Sequence, residues 1–137
     1  MIIISQKRDD IWLFRCYDLG GSSSYNGQYQ ALPVYVQTEI DIVLEILAAT
    51  RFWSDTLCRE LRGACDGLAE IIVELLGPND RPEHYRLLGF FGPDRLEFTL
   101  LLILKKDTDS DYGPACRSAL SRKEGVLKDG RRAPPCE

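Results

Sequence analysis

The sequence predicts an α+β domain: a twisted, mostly antiparallel sheet of about four strands, N-terminal helices on one face and a short C-terminal helix. Three observations carry this. Two apolar segments, HYRLLGFFG and LEFTLLLILKK, follow one another across Gly92-Pro93-Asp94, the signature of adjacent strands joined by a tight turn. Between Val36 and Thr50, Ile40, Val43, Leu44, Leu47 and Ala48 recur at three and four, which is the period of an amphipathic helix. Beyond Lys105-Lys106, Asp109 to Asp111 offer N-cap carboxylates ahead of Pro114, a proline tolerated in a first helical turn.

Taken in order, Trp12, Phe14 and Cys16 fall on one face, so Ile11–Tyr17 reads as the first strand, with residues 2–4 extending or preceding it. Gly20 to Gln30 is rich in glycine, serine and asparagine and reads as an exposed or disordered loop; it lacks the spacing that cradles phosphate. The helix over 36–50 begins near Thr38, which with Asp41 makes a weakened capping box, and its acidic face of Glu39, Asp41 and Glu45 is expected in solvent. From Arg51 to Gly77 the pattern suits either one helix or a short helix or turn ending at Gly63 and a strand over 68–75. Gly63 and Gly67, at about 1 kcal/mol each in a helix, and the β-branched Ile71, Ile72 and Val73 favour the strand.

Gly77 to Asp80 then turns the chain into a strand over Tyr85–Phe91, and Leu96–Leu104 follows as a strand apolar on both faces, hence inside its sheet. On strict alternation Leu96, Phe98, Leu100, Leu102 and Leu104 share one of those faces. A helix from Pro114 to Glu124 stops at Gly125. Residues 1–126 read as one domain, with an N-terminal extension and loop over about 1–35, and 127–137 as a basic, proline-containing tail, frayed at its end.

Composition limits the function. Residues 1–104 hold 9 Lys/Arg against 15 Asp/Glu, while 105–137 hold 8 against 6, so a polyanion would have to meet a local cationic patch near the C-terminal end. Five cysteines without a CxxC spacing and one histidine leave little for zinc. They read as free thiols in a reducing compartment, with no metal or cofactor. No run approaches the roughly 18 apolar residues of a membrane span, and the Met1-Ile2-Ile3-Ile4 start is too short for a signal peptide. The chain is expected to be cytoplasmic, off the membrane, and a candidate homo-oligomer.

Three blocks in order, LRGACDGLAEIIVE, HYRLLGFFG, and LLILKK with PACRSALSRKE, resemble the RelE/ParE toxin superfamily, most closely its HigB-like, phage-associated branch. In that branch a Leu-Arg-Gly turn leads into a GLxEL(R) strand, a Tyr-Arg strand follows, and an apolar strand ends in Lys-Lys before a short helix. The likeness spans roughly Thr38 to Glu124. It implies a RelE-like fold and the toxin of a toxin–antitoxin pair, paired with a helix-turn-helix antitoxin, that cleaves mRNA on the ribosome by metal-independent attack of the ribose 2′-hydroxyl. Such chemistry needs charge neutralisation at the phosphate and an assisted proton transfer.

Carried over by position, the resemblance implies Arg86 on phosphate, where a guanidinium binds in a bidentate way, and Glu70 as base. Lys106 and Tyr112 complete the implied catalytic set, one electrostatic and the other stacking or moving a proton. Arg62, His84, Lys105, Arg117, Arg122 and Lys123 are the implied RNA-binding groups. Structural readings stand beside these: a Glu70–Arg86 cross-strand ion pair, solubilising strand-end lysines, and a packing role for Tyr112. Ile72 stands where the branch often has arginine, and the chain is acidic overall. These departures motivate a second expectation, a noncatalytic phage-encoded binding or assembly module on the same scaffold.

Overall fold

The computed structural model describes residues 10–19, 24–107 and 112–136. Five strands form one mixed sheet: β1 (Leu13–Cys16), β2 (Cys58–Glu60), β3 (Ala69–Leu76), β4 (Pro82–Phe91) and β5 (Glu97–Lys106), in the order β1-β5-β4-β3-β2. β1 runs parallel to β5, and the other neighbours are antiparallel. Among the described residues three α-helices complete the fold: α1 (Tyr25–Gln30), α2 (Val34–Ala48) and α3 (Gly113–Lys128). The fold is therefore α+β as expected, with a fifth strand where a short helix or turn was expected before Gly63. No helix among the described residues is long and apolar enough to cross a membrane.

The glycines that argued against one long helix act as punctuation, since Gly63 and Gly67 have φ of +64° and +91°, a region that suits glycine. Released by them, 69–76 pairs along its whole length with β4. β2 escaped the pattern because it has only three residues, two of them exposed.

The two faces of the sheet follow from register, because directly opposed residues share a face. Ile71 with Leu87 and Ile103 lies on one face; Glu70, Leu88 and Leu102 lie on the other. Leu88 pairs with Leu102 but Gly89 with Leu100, so Leu101 is an extra, bulged residue. The bulge corrects the expectation that Phe98 to Leu104 alternate onto one face: Phe98 and Leu100 fall on the Ile71 face, Leu102 and Leu104 on the Glu70 face.

α2 covers the Ile71 face. Its buried stripe is Val36, Ile40, Leu44 and Leu47. At its start the Tyr35 hydroxyl donates to Glu83; past its end the Trp53 indole donates to the carbonyls of Leu47 and Thr50 and packs on Phe14 and Phe98. α3 covers the Glu70 face, and with both faces covered the interior of β5 is apolar apart from Thr99, whose hydroxyl donates to the Gly92 carbonyl.

Several expectations are corrected. Residues 2–4, 20–23 and Asp109 to Asp111 lie outside the described residues, but 25–30 is helix rather than loop. Ser24 caps it by accepting from the Gly27 amide at 3.0 Å, and Tyr25 and Tyr29, one turn apart, are buried. Asp41 is likewise buried, not solvated, with the Tyr29 hydroxyl donating to its carboxylate. Burial raises the Asp41 carboxyl above its usual range, and that hydrogen bond offsets part of the rise. α3 continues through Gly125, whose missing side chain admits the Arg132 guanidinium.

The C-terminal residues are pinned rather than frayed. The Cys16 amide donates to the Pro134 carbonyl and the Cys136 amide to the Phe14 carbonyl, which covers the open edge of β1. Cys16–Cys136 and Cys65–Cys116 are disulfides, against the expectation of free thiols, and only Cys58 stays free.

Candidate functional site

The polar groups of β3, β4 and β5 gather on the Glu70 face. The hairpin register sets Ile72 opposite Arg86 and Glu74 opposite His84, and β5 sets Lys106 opposite His84. Alternation then puts Glu70, Ile72, Glu74, His84, Arg86 and Lys106 on one side of the sheet. Tyr112, just before α3, reaches the same side. All four residues of the expected catalytic set, Glu70, Arg86, Lys106 and Tyr112, therefore share a face.

They do not share the same exposure. Glu70 and Arg86 are 3% and 5% exposed, so the centre of the cluster is an internal network. Glu70 accepts from Arg59 at 2.8 Å and from the Tyr112 hydroxyl at 2.8 Å, and Arg86 Nε lies 3.8 Å from Glu70 Oε2. Arg86 also donates to the Tyr85 carbonyl and, at 3.0 Å, to Glu74 Oε1. Burial, followed by the bond to Glu70, pushes the Tyr112 phenol far above its usual range. It stays a neutral hydrogen-bond donor.

The solvent-facing end of the network is a His–Glu dyad. His84 Nδ1 bonds Glu74 Oε2, and both side chains are close to half exposed. Burial alone would raise the Glu74 carboxyl, but bonds from His84 and Arg86 more than offset it and hold it below the usual range. An ionised carboxylate only accepts, so Nδ1 carries the hydrogen of this bond. Lys106, directly opposite, has its ammonium 5.8 Å from the centre of the Tyr112 ring.

The remaining expected RNA-binding residues disperse. Lys105 points to the other face, over Tyr85. Arg122 donates to the Leu101 carbonyl and lies over Tyr17, and Lys123 donates to the Gly67 carbonyl and lies over Phe90, so both bind α3 to the sheet. Arg117 is exposed on α3, and Arg62 is exposed beyond β2.

Two members of the cluster were not among the expected residues. Glu74 follows Glu70 by four, on the same face of a strand, and a hairpin turning about Asn79 sets it against His84. That signal was readable. Arg59 lies on the unforeseen strand β2.

Compared with family models, curated proteins and solved structures, the chain has no match.

Proposed function

We propose that the protein is a HigB-like endoribonuclease, the toxin of a toxin–antitoxin pair, acting on mRNA at the ribosome. The observation that carries this is the His84–Glu74 dyad standing opposite Lys106 on the face that also holds Glu70, Arg86 and Tyr112. Support also comes from β3, β4, β5 and α3, which follow one another over the stretch that carries the sequence blocks.

On this reading His84 Nε2 takes the proton of the ribose 2′-hydroxyl while that oxygen attacks the adjacent phosphorus. Lys106 neutralises the charge gathering on the phosphorane and supplies a proton to the departing 5′-oxygen, leaving a 2′,3′-cyclic phosphate. Glu74 orients the imidazole and stabilises it once protonated, much as a carboxylate serves a catalytic histidine elsewhere. Glu70, Arg86 and Tyr112 act from beneath as positioning residues, because their polar atoms are turned to one another rather than to solvent.

The reading includes a cytoplasmic location and a helix-turn-helix antitoxin as partner. The two disulfides, rare in a reducing compartment, weigh against that location. A second reading, a noncatalytic binding module on the same scaffold, is favoured by the burial of Arg86, whose guanidinium is engaged inside the protein.

Induced expression in a bacterial host separates the two. The nuclease reading expects growth arrest with loss of full-length messages, relieved by His84→Ala or Lys106→Ala and by co-expression of the antitoxin encoded beside it. Normal growth with intact messages favours the binding module.

A further inference from the structure

At the other end of the strands, where the chain leaving α2 approaches the β2 edge, lies a concavity of about 510 Å³. Trp12, Phe52, Trp53 and Phe91 wall it, with Arg51 and Arg62 among the groups that line it. Phe52 is 82% exposed and Phe91 44%, an unusual outlay of aromatic surface for a chain this small.

The platform is held rigidly. Trp12 and Trp53 ring centres are 4.7 Å apart, and Phe91 lies 5.7 Å from the first and 5.5 Å from the second. Each indole N–H is tied to backbone, Trp12 to the Arg51 carbonyl at 3.2 Å and Trp53 to the Leu47 and Thr50 carbonyls at 2.9 Å. The Arg51 guanidinium sits 5.6 Å over the Phe52 ring. Asp55 and Glu60 also line the cleft, as does a third arginine, Arg59, which donates to Glu70. Arg51 and Arg62 are exposed and make no ion pair among the described residues.

Fixed aromatic faces beside two guanidinium groups without an ion pair among the described residues match a planar ring joined to an anion. An aliphatic partner would use the rings but leave the arginines uncompensated, whereas a base stacks and its phosphate meets the cations. We propose that this cleft is a stacking subsite for an unpaired base of single-stranded RNA, with Arg51 and Arg62 on the flanking phosphates. The identity of the strand as RNA rests on the endoribonuclease reading; the cleft itself uses none of the groups assigned to cleavage. Arg59 joins the two places, since it lines the cleft and bonds Glu70 of the polar face.

The chain has two tryptophans, Trp12 and Trp53, and both stand in the cleft, so their fluorescence reports on it directly. Titration with a mixed-sequence single-stranded hexaribonucleotide is expected to quench that fluorescence saturably, and the same sequence as a duplex is not. Phe52→Ala is expected to weaken binding about tenfold, and Arg51→Glu to weaken it and flatten its salt dependence. Both side chains are exposed, and far-UV circular dichroism checks that each variant is folded. Quenching that ignores both substitutions, or no quenching at all, overturns the subsite. So does a dimer, seen by sedimentation, that Phe52→Ala dissociates in a protein the oligonucleotide does not quench, because the cleft then belongs to a second copy. A protein that binds through the cleft but cleaves nothing keeps the subsite and loses the nuclease reading. One that cleaves but whose quenching is indifferent to Phe52 and Arg51 does the reverse.

Discussion

The Tyr112 hydroxyl donates to Glu70 Oε2 at 2.8 Å, tying the residue that precedes α3 to a carboxylate buried in β3. Tyr112→Phe removes that donor and keeps the ring. The loss leaves a buried acceptor short of one partner, so the variant should be less stable by about 1–2 kcal/mol in urea unfolding.

Removing the carboxylate itself should cost more. Glu70→Ala strips the acceptor from Arg59 and Tyr112 and leaves Arg86, 5% exposed, with Glu74 as its remaining carboxylate, so the loss should approach about 3 kcal/mol, the lower end for a broken buried pair. The double variant Glu70→Leu with Arg86→Met removes both charges and should recover part of that loss. A double variant no more stable than Glu70→Ala would show that the pair is not where the energy lies.

Arg15 clamps the parallel edge, bonding Glu97 through Nε at 2.9 Å and a terminal nitrogen at 3.1 Å, and also the Ala133 carbonyl. The bond from Arg15 holds the Glu97 carboxyl below the usual glutamate range, against the opposing effect of burial. A depressed carboxylate contributes stability that is fully present above its unfolded-state value and is lost as pH falls through the folded one. Wild type should therefore exceed Glu97→Gln in stability at neutral pH, and the gap should close on acidification below the ordinary glutamate range.

Gly89 sits at the β-bulge, where a Cβ would collide with the Thr99 carbonyl oxygen and press on the Phe98 ring. Gly89→Ala should cost about 3 kcal/mol, read as a lowered melting temperature or a loss of soluble protein.

The thiols make a further prediction. Burial, then the nearby Glu70, Glu60 and Asp55 carboxylates, push the Cys58 thiol up to about 12, so it is not a thiolate at neutral pH. Protein prepared without reductant should resist iodoacetamide when folded and, once denatured, should take up one label among its five cysteines.

Much of the site was legible because it depends on local rules. The turn at Gly77–Asp80, combined with two-residue alternation, suffices to bring Glu70 and Arg86 to one face, whereas Lys106 joins them only because the bulge at Leu101 shifts β5 by one residue. What was missed depends on long-range or short-lived signals. Cys16 and Cys136 are 120 residues apart, a separation over which spacing says nothing. Strand β2 is too short to show a period, and α1 hides in a polar stretch because its stability comes from Tyr25 and Tyr29 packing inward, not from helix propensity. The bulge at Leu101 left no mark in an unbroken apolar run. Exposure was equally invisible: Arg86 reads as a phosphate ligand in one dimension and is an internal residue in three.

The most direct test of the central claim is a cleavage assay on translating ribosomes with the 3′ ends of the products sequenced. The His84–Lys106 site predicts messenger fragments ending in 2′,3′-cyclic phosphate, formed by the wild type and reduced at least a hundredfold, on the order expected for loss of a general base, in His84→Ala. Messenger left intact by the folded wild-type protein, or cut equally well by His84→Ala, would contradict it.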